Sequence, residues 1–125
     1  MKILQIILRT LLGLILLIFG LNKFIGFMPA IDFGEDIAAK DFFEALMDTS
    51  YMLPLVGIIE ILAGLLLVIK KWVPFALVML VPISVNIVLF HLVLNPANIG
   101  PAILVAVLNG YLIYKNWCSY SSLFA

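Results

Sequence analysis

Residues 51–69, YMLPLVGIIEILAGLLLVI, form an apolar run broken by a single charge, Glu60, and runs of this kind constrain the chain more than any other feature. A helix that crosses the hydrocarbon of a bilayer needs about 20 apolar residues, and it must pair its backbone N–H and C=O groups within itself. Four stretches reach or approach that length, at about 3–24, 51–69, 73–93 and 99–114. Hydrophobic residues make up 66% of the 125-residue chain and charged ones 11%, too apolar a balance for a soluble core with a polar surface. The expected fold is therefore an all-α membrane protein. It is a single domain over 1–125, built as an antiparallel bundle of four transmembrane helices.

Proline placement fits these spans, because Pro54, Pro74 and Pro101 each fall in a first turn, where the missing N–H has no partner to lose. Pro82 lies mid-span and predicts a kink. Lys2, Arg9, Lys70, Lys71 and Lys115 all fall at one side of the alternating spans, which predicts cytoplasmic N- and C-termini in the inner (plasma) membrane. Trp72, Tyr114, Trp117 and Tyr120 would form an aromatic belt at that face. The first outer loop contains DFGEDIAAKDFFEALMDTS, with Asp32 and Glu35 at a capping-box-like spacing and Ile37, Ala38, Phe42, Ala45 and Leu46 on one face. This predicts a short amphipathic helix at about 32–48. It either caps the bundle mouth or serves as a solvated connector tethered by its phenylalanines.

The few polar residues inside the spans are the candidate functional groups. Glu60 lies near the middle of the second span, where a carboxylate is costly unless paired, protonated or hydrated. Arg9, expected about 6 Å away along the bundle axis, is the partner the depths suggest. The pair reads either as a structural tie between two helices or as a ligand or proton site. Gly13 and Gly20 share the Arg9 face of the first span, and Gly57 and Gly64 share the Glu60 face of the second, so two helices can approach closely there. Asn86 and Asn109 read as interhelical hydrogen-bond donors or as ligand contacts, Ser84 as a donor to its own backbone, and His91 and Lys23 as rim residues. By depth the set stacks as a polar track, Arg9, then Asn109 with Glu60, then Asn86, then His91 with Lys23.

Several chemistries fail on residue supply. Cys118 is the one cysteine, which excludes a dithiol pair or a thiolate metal cage, and a lone histidine makes no metal site. Metal-hydrolase, serine-hydrolase, phosphate-loop and dinucleotide motifs do not occur. Lys plus Arg and Asp plus Glu both total 7, so nothing points to nucleic acid as a partner. The partner implied is the lipid bilayer, with a membrane protein or a second copy of the chain as further candidates.

LRTLLGLILLIFGLNKF at 8–24, VGIIEILAGLLLVIKK at 56–71 and PISVNIVLFH at 82–91 together resemble the DoxX family of small four-span membrane proteins. The matching positions are Arg9, Gly20 with Lys23, Gly57 with Glu60 and Gly64, and Pro82 with Asn86 and His91. The resemblance implies a compact four-helix bundle, similar in outline to the vitamin K epoxide reductase bundle but without that enzyme's paired cysteines. It also implies a range of roles, because the family takes its name from a subunit of a thiosulfate-quinone oxidoreductase while distant relatives act as receptors or assembly chaperones. The expected function is a non-enzymatic membrane protein whose polar core, Arg9, Glu60, Asn86 and Asn109 with Lys23 and His91, binds a small ligand or a partner's transmembrane segment. The alternative is a membrane subunit of a quinone-linked oxidoreductase. No resident cofactor is expected beyond a possible bound quinone or lipid.

Overall fold

The computed structural model of the protein describes residues 2–26, 37–94, 96 and 99–124. Five α-helices follow one another: α1 (Lys2–Ile25), α2 (Ile37–Asp48), α3 (Met52–Ile69), α4 (Val73–Val93) and α5 (Gly100–Lys115). Two 3₁₀ turns, Trp117–Ser119 and Ser121–Phe124, end the described chain. By length and composition α1, α3 and α4 can each cross a membrane, with mean hydropathies of 2.4, 2.6 and 2.4. At 16 residues α5 is apolar but shorter, about 24 Å against the roughly 30 Å of a bilayer's hydrocarbon.

The centre of the bundle is a leucine core in which Leu12, Leu16, Leu67, Leu77, Leu80 and Leu112 are fully buried. Its outside is just as apolar. Leu14, Ile18, Ile58, Leu62, Leu89 and Val107 are each at least 44% exposed, an outer surface that suits lipid and would drive aggregation in water.

The tightest seam joins α1 to α3. The two helices run in opposite directions with Gly13 facing Gly64 and Gly20 facing Gly57. A Cβ on Gly64 would lie 2.7 Å from the Gly13 carbonyl oxygen, and one on Gly20 would lie 2.9 Å from the Gly57 carbonyl oxygen. These glycines are required for backbone to pass backbone, the small-residue packing that drives helix association where lipid offers no hydrophobic contrast.

Short turns hold the other elements. Thr49 clasps α2 to α3, its Oγ1 donating to the Leu46 carbonyl (2.7 Å) and accepting from the Met52 N–H (3.1 Å). The first part of the predicted loop helix, with Asp32, Glu35 and Asp36, lies outside the described residues. The remainder forms α2, which reaches α4 through the Phe42 and Phe90 rings, 5.4 Å apart between centroids, and buries Ala39 completely. Between α3 and α4, Lys70 takes a left-handed conformation (φ 59°) while its N–H and that of Lys71 both bond the Leu66 carbonyl. That Schellman closure usually employs glycine.

Tyr120 departs from expectation. It is not part of an interfacial belt but is buried, donating from its hydroxyl to the Pro74 carbonyl at 2.7 Å, so the C-terminal segment is pinned on the start of α4. Burial pushes its phenol up to about 12. The neutral phenol stabilises the fold fully below about pH 10, its ordinary value, and that contribution is lost as pH rises through about 12. In an alkaline absorbance titration one of the four tyrosines should therefore ionise last, and Tyr120→Phe should remove that late phase. The glycine seam predicts that Gly64→Ala lowers unfolding stability in detergent by about 1–3 kcal/mol through overpacking. Gly110→Ala, where a Cβ meets nothing within 4 Å, should leave stability unchanged or raised.

Candidate functional site

The glycine seam sets the register that places Glu60. With Gly57 opposite Gly20 and Gly64 opposite Gly13, Glu60 falls between the two close contacts and is 1% exposed. Its partner is Lys23, whose Nζ lies 2.6 Å from Glu60 Oε1. Among the described residues this is the one ion pair.

The geometry explains why Lys23, and not Arg9, answers Glu60. In a helix every Cα–Cβ bond tilts toward the N-terminus. In antiparallel neighbours the tilts oppose, so Glu60 leans toward the turn carrying Gly57 while Lys23 leans back along α1 toward Glu60. Gly57 has no side chain to obstruct the lysine stem, and a Cβ there would sit 3.3 Å from Lys23 Cβ and 2.9 Å from Phe24 Cε2. Arg9 lies the other way, about 12 Å from the level of Glu60 by the glycine register. Its own side chain leans further off. The expected Arg9–Glu60 pair is thus replaced by Lys23–Glu60, and Lys23 is a core partner instead of a boundary marker.

The remaining polar residues separate. Asn109, 3% exposed, donates from Nδ2 to the Leu77 carbonyl (3.0 Å) and so ties α5 to α4. Asn86 does not line the core beside Glu60. It is exposed and donates from Nδ2 to the Pro82 carbonyl (2.8 Å), one turn back on its own helix. Pro82 lies inside α4, which continues as helix on both sides of it. Ser84 does not return a hydrogen bond to the preceding turn: it is 4% exposed and its Oγ has no partner among the described residues. His91, in the last turn of α4, donates from Nδ1 to the Ile87 carbonyl one turn back on its own helix (2.9 Å), with its ring edge-on to Phe90. Arg9 faces a groove at the opposite end of the bundle, beside Gln5, Lys70 and Asn116. No continuous polar track joins these groups.

Three helices of spanning length, a shorter apolar fourth and a buried lysine–glutamate pair between the first two spans define a small multi-pass membrane protein. The DoxX family model matches residues 4–92, which takes in α1 to most of α4, and the chain belongs to the DoxX family. No curated protein and no solved structure matches the chain.

Glu60 and Lys23 are coupled in stability. Lys23→Met or Glu60→Leu alone should cost about 3–5 kcal/mol by stranding the other partner, and the double substitution should recover most of that loss. A double-mutant cycle between Arg9→Met and Glu60→Leu should give a coupling below about 0.5 kcal/mol, as for residues that share no contact. A large coupling there would contradict the register described.

Proposed function

We propose that the protein is a non-enzymatic inner-membrane protein that holds another transmembrane segment, a partner's or a second copy's, against the exposed face of α4. The observation that carries this reading is Asn86. Its amide stands on an apolar, lipid-facing stripe with Val78, Pro82, Val85 and Leu89, and only its Nδ2 is engaged, on its own helix. Its Oδ1 and second N–H remain for a neighbour. Pro82 has no N–H to give the Val78 carbonyl one turn before it, so a second backbone acceptor lies on the same face. Polar groups left open to hydrocarbon are costly, and helices that carry them associate to satisfy them.

The packing of the core favours this reading over a ligand held inside the bundle. Lys23 pairs with Glu60, Asn109 bonds the Leu77 carbonyl, and the interior around them is filled by aliphatic side chains, with the small Ser84 hydroxyl left unpartnered among the described residues. The turn at Lys70 and Lys71 and the position of Lys115 support a cytoplasmic location for both termini. A quinone-linked oxidoreductase is one partner this role accommodates, with the redox centre in the partner.

A photoreactive residue at position 85 or 89, activated in native membranes, tests the proposal. A discrete protein adduct is expected, at twice the chain's mass for a second copy and at another mass for a partner. Asn86→Leu should weaken it about three- to tenfold, corresponding to roughly 0.6–1.4 kcal/mol for an interhelical polar contact. Lipid adducts alone, unchanged by the substitution, would sink it.

A further inference from the structure

The groove at the far end of the bundle from Lys23 is rich in cations and amides. It has a volume of about 280 Å³ and is lined by Gln5, Ile6, Arg9, Lys70, Val73, Leu112 and Asn116. Two cations face it, two amides flank it, and no carboxylate lines it. Arg9 makes no ion pair among the described residues, so no carboxylate of the chain neutralises the charge it brings to the groove. A guanidinium at a membrane protein's edge without an internal counter-charge is free to pair with an anion from outside the chain. Lys70 reaches the groove from a left-handed backbone conformation that a side chain rarely adopts.

We propose that this groove binds the phosphate headgroup of an anionic glycerophospholipid, with Arg9 and Lys70 as charge partners and Gln5 and Asn116 as flanking amides. Charge complementarity gives the anion. Phosphate matches the forked donors of an arginine, and a neighbouring lysine adds a point charge. The surroundings give the lipid. Ile6 lines the groove and is 47% exposed, and Ile3 and Ile7 beside it are 73% and 56% exposed. The groove thus opens directly onto an apolar surface along which acyl chains can lie. Its volume has room for on the order of ten waters, more than a bare phosphate fills. The site lies at the end of the bundle bearing Lys71 and Lys115, where an anionic leaflet is electrostatically favoured.

The test is a lipid titration of the purified full chain in neutral detergent, followed by thermal unfolding and by native mass spectrometry of retained lipid. The probes are dioleoylphosphatidylglycerol, dioleoylphosphatidylcholine and inorganic phosphate. Phosphatidylglycerol should raise the unfolding midpoint and be retained, phosphatidylcholine should do neither, and phosphate at equal concentration should do neither. Arg9→Gln and Lys70→Gln should each weaken retention about fivefold, the usual contribution of one basic residue near an anionic surface. Lys71→Gln with Lys115→Gln, which removes twice the charge of either groove variant from the same end but none from the groove, should leave retention within twofold. If the Arg9 variant fails to fold, Lys70→Gln, at an exposed turn position, decides alone. Equal retention by the groove variants and the wild type overturns the site. Equal loss in the Lys71/Lys115 control reduces it to general surface charge, and an equal response to inorganic phosphate reassigns it to a free anion.

Discussion

A carboxylate in the middle of an apolar span must be answered from within the protein, and the way Glu60 is answered determines how α1 and α3 meet. The ion pair needs the helix axes close enough for Lys23 to reach across, and that closeness needs glycine where the backbones pass. Gly20 and Gly57 bring the lysine stem over the turn beside Glu60, while Gly13 and Gly64 fix the register one contact further along. Neither device is sufficient alone. Small residues allow many registers, whereas a buried charge tolerates only the one that supplies its partner, so the pair acts as specificity and the glycines as affinity. The rest of the bundle follows from that seam, since α4 joins α3 through a tight turn and α5 is tied back to α4 by Asn109 and Tyr120.

The helices were legible in the sequence because length and hydropathy are local properties. The expected spans at 3–24, 51–69, 73–93 and 99–114 differ from α1, α3, α4 and α5 by at most one residue at each end, and that of α4 not at all. The importance of Glu60 and of the four seam glycines was legible for the same reason. The partner of Glu60 was not, because depth along a span places a Cα and not the end of a side chain. Lys and Glu side chains in antiparallel helices lean toward each other or away depending on which is nearer its own N-terminus, and applying that rule would have chosen Lys23 over Arg9. Asn86 was misplaced by a different route. Position on a helical wheel does not say which side of α4 faces the core, and α4 is apolar all round, so its pattern gave no preferred face.

These two errors share a cause, since both treat intramembrane polar residues as one population that must converge. In the structure they divide by whether they meet a group of another helix. Lys23, Glu60 and Asn109 do, and they hold the bundle together. Asn86 and Arg9 do not. The amide bonds only its own helix on an exposed apolar face, and the guanidinium has no ion-pair partner among the described residues.

That division bears on where a partner or ligand can reach the protein. In the core Lys23, Glu60 and Asn109 meet groups of other helices and Ser84 Oγ is buried among apolar side chains, whereas Asn86 stands on the exposed face of α4 and Arg9 lines the groove edged by Ile6. A bundle of four short apolar helices has little interior to spare, because the leucines that fill it are also what holds it together. Its surface is under no such constraint. Polar groups on that surface carry a cost in lipid that folding does not recover, which is the physical ground for the proposed neighbouring helix at Asn86 and the proposed charged headgroup at Arg9.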